Sequence, residues 1–125
     1  MGCAKRAGFK PAPTNRALEL ARRYMAVFYS GEDPEELRAI VAEDLVFEGP
    51  FVRCESADDY IEALRGDSRE GLSYEVLWEF ESGASACLVY RFSKPGVDTT
   101  MAQVFETRGG RIARITLVFD TGAFA

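Results

Sequence analysis

A chain with no histidine must do any proton chemistry with carboxylates, phenols, thiols or amines, and histidine is absent from these 125 residues. Its absence removes Ser-His-Asp and Cys-His catalysis, H-E-x-x-H zinc sites and mixed Cys/His zinc knuckles. The three cysteines, Cys3, Cys54 and Cys87, are widely spaced and odd in number. A disulfide framework is not expected from them, and a reducing, cytoplasmic setting is. A nucleophilic thiol would also need an activating base that the composition does not supply. No Gly-rich loop has Walker or dinucleotide spacing, so neither a cofactor nor a metal is expected.

Three polar side chains remain as candidates. Tyr24 lies on the apolar stripe of a helix, and its phenol is a hydrogen-bond donor near neutral pH. Arg91 lies on a strand between Tyr90 and Phe92. It is either a donor into a pocket or an outward arginine paired with the glutamates of residues 72–81. Asp120 is an acid at the end of the last strand. It is either a weak candidate for proton transfer or a hydrogen-bond anchor for the chain end. Glu35 and Glu36 follow Pro34, where acids suit the positive end of a helix dipole, so they have a structural role.

The stretch from Ala42 to Leu64 divides the chain into a helical and a strand-rich half. It reads as a short strand, Leu45 to Glu48, a Gly49-Pro50 break, a loop, and a helix opened by Ser56 with Asp59 three residues on. Before it, Leu18, Ala21, Met25, Phe28 and Tyr29 recur at helical spacing and predict a helix from Thr14 or Asn15 to Tyr29. A second helix is predicted over Pro34 to Val41, capped by Asp33. After it the period becomes two, with strands over residues 72–81, 84–93, 98–108 and 111–120. Trp78, the only tryptophan, alternates with glutamates in the first of these and reads as core. Short links between the strands imply antiparallel neighbours. The fold class is α+β, with N-terminal helices packed on one side of a curved antiparallel sheet. Residues 1–13 read as a flexible N-terminal arm and 14–125 as one domain.

A net charge of −5 argues against a nucleic-acid surface. No apolar run approaches the roughly 18 residues that cross a bilayer, so no membrane partner is expected.

The order of these elements, with Arg23-Tyr24, Ser30-Gly31-Glu32, Glu43-Asp44, Phe47-Glu48-Gly49-Pro50, Gly110-Arg111-Ile112 and Phe119-Asp120, resembles the NTF2-like superfamily and its SnoaL-like branch. The resemblance spans about Asn15 to Phe124 and implies a bent sheet enclosing a cone-shaped pocket. Such a fold hosts many functions. Against ketosteroid isomerases, Tyr24 matches the oxyanion-donor tyrosine, but the base position falls on Gly49 and the second acid near Met101. Against limonene-epoxide hydrolases, Arg91 resembles the positioning arginine, while the flanking acids fall on Ser93 and Leu117. Asp120 matches an aspartate common across the branch. The resemblance puts Met101 and Gln103 on the pocket side, in a cone built with Phe47, Ile115, Leu117 and Phe119.

Such a pocket suits a small hydrophobic or aromatic ligand, held by Tyr24 and Arg91. Cofactor-independent isomerase, cyclase or hydrolase chemistry at a non-standard site stays open beside binding. The alternative is a non-catalytic dimerising module with a vestigial pocket. In either case a homodimer joined across the sheet is expected.

Overall fold

The computed structural model describes residues 16–125, and the arm expected over 1–13 lies outside them. Helix α1 runs Ala17–Ser30 and buries Leu20, Ala21, Tyr24 and Met25, spaced three and four apart along one face. Gly31 ends it in the left-handed conformation, φ 79°, which a residue with a Cβ adopts only at a cost.

The second expected helix is a short 3-10 turn, Pro34–Ala39, and strand β1 already begins at Val41. Asp33 caps the turn as expected, accepting from the Glu35 N–H at 2.9 Å. β-branched Ile40 and Val41 favour extended backbone over another helical turn, so β1 covers Val41–Glu48 rather than only its last four residues. Gly49 N–H bonds to the Val52 carbonyl at 2.9 Å, and this turn returns the chain as β2, Arg53–Cys54. Helix α2, Ala57–Arg65, starts where its capping residue predicts: Ser56 Oγ accepts from the Asp59 N–H at 3.0 Å.

Strands β3 (Ser73–Ser82), β4 (Ser85–Lys94), β5 (Val97–Arg108) and β6 (Arg111–Phe119) form an antiparallel meander. The sheet order is β2-β1-β6-β5-β4-β3. Because β1 pairs with β6 in parallel, the sheet is mixed and not wholly antiparallel. Local hairpin links dictate antiparallel neighbours, whereas β1 and β6 are separated by α2 and four strands, so either sense was open to them.

Ala86, Leu88, Tyr90 and Phe92 of β4 face the helices together with Met101, Gln103 and Phe105 of β5. Register shifts in the β1–β6, β3–β4 and β5–β6 ladders bend the sheet around α1 and α2.

One of these shifts changes the meaning of a whole strand. Tyr74 pairs with Phe92 and Val76 with Tyr90, on the helix side, but Trp78 then pairs with Val89 and Phe80 with Cys87. Leu77 is the extra residue. Beyond it, Glu79 and Glu81 face α1, while Trp78 and Phe80, each 58% exposed, stand on the outer face. Trp78 is therefore a surface residue and not part of the core, because the bulge reverses the alternation read along the strand.

Candidate functional site

Between α1, α2 and the concave side of the sheet lies a chamber of about 90 Å³, walled by aromatic rings. It opens into a mouth of about 440 Å³, and Phe28, Phe47, Tyr60, Phe92 and Leu117 border both. Phe51, Phe119 and Phe124 cluster on the rim with ring centroids 5.0–5.8 Å apart. The terminal 3-10 turn, Thr121–Phe124, places Phe124 there, and Lys94 Nζ lies 5.3 Å from its ring centre.

The chamber's polar groups are phenols and one amide. Tyr24 on α1 and Tyr60 on α2 share a buried hydrogen bond between their hydroxyls. Tyr90 on β4 donates to Gln103 Oε1 at 2.7 Å, with Met101 Sδ as a weaker second acceptor at 3.6 Å. Gln103 is only 3% exposed, and this bond satisfies part of an amide that would otherwise be costly to bury. The Tyr24 phenol is held well above its ordinary pKa by burial first and by the Tyr60 hydroxyl second. Burial pushes Tyr29 up to about 12 and also raises Tyr60 and Tyr90. All four are therefore protonated near neutral pH. The residues lining the chamber include no carboxylate, thiol, amine or guanidinium.

The expected site residues separate into two groups. Tyr24, Phe47, Met101, Gln103 and Leu117 all line the chamber. Arg91 does not: it stands on the outer face, where it donates to Asp98 Oδ1 at 2.7 Å and to Thr100 Oγ1 at 3.1 Å. Tyr90 and Phe92 turn inward, and strict alternation sends the residue between them outward. Its expected pairing with the glutamates of β3 is replaced by these β5 partners.

Asp120 also lies outside the chamber's lining. Its Oδ1 accepts from the Gly122 N–H at 2.9 Å and caps the terminal turn, the anchoring arrangement. Gly49 borders the mouth, where an added Cβ would lie 3.4 Å from the Phe47 ring and 3.6 Å from Leu117 Cβ. Ile115 is core, and Phe119 belongs to the rim.

Phe28, Tyr29, Tyr60, Tyr90 and Phe92 are the chamber residues that the sequence did not single out as site residues. The signal for Tyr90 was available, since it shares strand parity with Leu88 and Phe92 and opposes Arg91. Tyr60 was legible only as part of the apolar face of α2.

A larger surface cleft, about 1000 Å³, lies beside the Pro34–Ala39 turn. Its arginines are already engaged. Arg38 pairs with Glu35 and Asp58, Arg108 pairs with Asp44, and Arg111 donates to the carbonyls of Arg38, Ala39 and Val41. Among the described residues no three His, Cys, Asp or Glu side chains gather as metal ligands. No helix among them is long and apolar enough to cross a membrane.

The SnoaL-like domain family matches residues 21–115. No relative of curated function matches the chain in sequence. An NTF2-like protein of unknown function from Cytophaga hutchinsonii superposes with a TM-score of 0.75 at 19% identity, covering 93% of this chain and 97% of that one. A Kribbella flavida protein gives 0.76 at 26% identity, over 90% and 92% of the two chains. An LEH-like epoxide hydrolase from M. tuberculosis gives 0.62 at 22% identity, over 83% and 85%. The helix-backed, curved sheet is the architecture these structures share with the chain.

Proposed function

The chain belongs to the SnoaL-like domain family, and from that premise we propose that it binds a small, uncharged, largely aromatic molecule in the cone. The observation that carries the proposal is a ring-lined chamber whose polar side chains, among the described residues, are buried phenols and one amide. Aromatic walls supply apolar contact area, and the hydroxyls fix the orientation of one ligand oxygen.

A carboxylate ligand fits less well. With Arg91 on the outer face, no cation among the described residues lines the chamber to offset the desolvation of a charge, and Arg69 and Lys94 line only the mouth. Turnover by proton abstraction inside the chamber also lacks a base among the described residues, because phenols with raised pKa values do not accept protons near neutral pH and Asp67 lines only the mouth. Binding therefore ranks above isomerase, cyclase or hydrolase chemistry.

A thermal-shift series tests the reading. Neutral aryl ketones and aryl ethers should raise the melting temperature and benzoate should not. A ligand at about 100 times its Kd stabilises by about 2.7 kcal/mol. If benzoate stabilises and the neutral compounds do not, the reading is wrong.

A second role has its own observation, on the opposite side of the sheet. Trp78, Val89, Ala102 and Val118 form one cross-strand row on the outer face, and Phe80, Cys87, Val104 and Thr116 form the next. Val118 is 57% exposed and the two aromatics are equally open. An apolar face of this extent supports self-association into a homodimer.

A further inference from the structure

We propose that the mouth of the cone is a carboxylate subsite built on Lys94, so that the uncharged aryl group seated in the chamber is one end of a longer aryl-alkyl acid. The inference rests on the ligand-binding reading above and adds to it the part of the molecule that lies outside the chamber.

Strand parity carries the argument. Ala86, Leu88, Tyr90 and Phe92 are the buried, inward residues of β4, and Lys94 is the next position on that same face. The alternation that turns Arg91 outward to Asp98 therefore turns Lys94 toward the cone. Phe92 borders both chamber and mouth, and Lys94 borders the mouth alone. The step from one to the other along the strand is roughly 7 Å. The inward row of β4 thus ends in a cation at the entrance.

Lys94 has no carboxylate partner. Among the described residues it takes part in no ion pair. Its Nζ rests instead 5.3 Å from the centre of the Phe124 ring, which holds the ammonium at the rim without neutralising it. The mouth's other cation is engaged, since Arg69 donates to the carbonyls of Phe28, at 2.6 Å, and Glu32. Asp67 borders the same mouth from the loop after α2. One unpaired ammonium with an acid on the same rim matches a single negative charge, a carboxylate rather than a phosphate dianion.

Room and spacing define the rest of the ligand. The chamber is about 90 Å³ and the mouth about 440 Å³, so most of the space lies between a seated ring and Lys94. Ala63, Leu64, Leu72 and Phe51 wall that space, which suits an alkyl spacer. Benzoate fails this arrangement, because its carboxylate is bonded to the ring and has no spacer to hold it in the mouth.

Isothermal titration at low salt tests the subsite with three probes: 6-oxo-6-phenylhexanoate, its methyl ester, and acetophenone. Lys94 is exposed, so Lys94→Gln and Lys94→Glu should fold as the parent does. Wild type should bind acetophenone and the ester, and should bind the acid about fivefold more tightly than the ester, the upper range for an exposed ion pair. That preference should vanish in Lys94→Gln, reverse in Lys94→Glu, and shrink toward unity for wild type in about 0.5 M salt.

If wild type binds the acid no better than the ester, or if Lys94→Gln keeps the preference, the carboxylate subsite is overturned while the chamber reading stands. If neither acetophenone nor the ester binds wild type, the chamber reading fails, and the subsite, which depends on a seated ring, falls with it even where the acid binds.

Discussion

Glu81, on the edge strand β3, caps helix α1: its Oε2 accepts a 2.8 Å hydrogen bond from the backbone N–H of Leu18. The helix needs this bond from outside, because Arg16 at the N-cap position makes no side-chain cap. A carboxylate there also meets the positive end of the helix dipole. One turn along, Arg22 and Glu79 make the same crossing, with Nε to Oε2 at 3.0 Å.

Replacing Glu81 with Ala should cost about 1 kcal/mol of unfolding free energy, the usual size of a lost N-terminal cap. Glu81→Gln should cost less, since an amide oxygen still accepts the bond. Urea denaturation of the three proteins checks the order. An alanine variant as stable as wild type would remove the cap from the account.

The bulge at Leu77 accompanies that crossing. Deleting Leu77 should restore strict alternation along β3 with Trp78 still opposite Val89 and Glu79 still opposite Leu88, so Glu79 and Glu81 should keep facing α1. Glu81→Ala should therefore cost about 1 kcal/mol in the deletion background as well. A deletion background in which Glu81→Ala costs nothing would show that Glu81 no longer reaches the helix once the bulge is gone.

The same bulge marks where the sequence stops being legible. Ser56 with Asp59, Gly31, and the turn at Gly109-Gly110 each announce themselves, because local chemistry demands those residues there. Alternation placed Tyr74 and Val76 with Phe92 and Tyr90 on one face. It misplaced Trp78 because one inserted residue reverses the parity and leaves no mark in composition. The parallel β1–β6 pairing was hidden for a different reason, since it joins segments with no local link between them. At the site, the family resemblance put Met101 and Gln103 on the pocket side, where they share parity on β5, and brought Leu117 of β6 into the same cone. Arg91 was misplaced into the cone by resemblance, although its own neighbours, Tyr90 and Phe92, already pointed the other way.

The outer face leads to a prediction on assembly. Light scattering at micromolar concentration should return twice the 13.9 kDa of one chain. Trp78→Glu places a charge in the middle of the two apolar rows and should yield a monomer with the fold intact by circular dichroism. A wild type that scatters as a monomer would leave this face without a role in self-association.

Arg91→Gln should leave ligand binding unchanged within about twofold, since its partners Asp98 and Thr100 lie on the outer face away from the chamber. Its effect on stability should stay below about 1 kcal/mol, the range of exposed ion pairs. Titration of acetophenone into the variant and the parent decides the matter. A tenfold loss in the variant would return Arg91 to the site.

Alkaline pH should unfold the protein through its buried phenols. Tyr24, Tyr29, Tyr60 and Tyr90 all have folded pKa values raised by burial, Tyr29 to about 12. In the unfolded chain each phenol titrates near about 10. A raised folded value means that the native state keeps its proton longer than the unfolded state does. The corresponding stability is fully present below about pH 10 and drains away as pH climbs toward the folded values. For Tyr29 that window closes at about 12; for the others it extends further. Each tyrosine in its window removes about 1.4 kcal/mol per pH unit. Urea denaturation should therefore give a nearly level contribution from these groups between about pH 7 and about pH 9, then a steep fall above about pH 10. Tyr24→Phe should start from a lower plateau, because Tyr60 loses its partner, yet fall less steeply by about one tyrosine's share. Parallel slopes for the variant and the parent would mean that Tyr24 does not titrate between its two states as its burial requires.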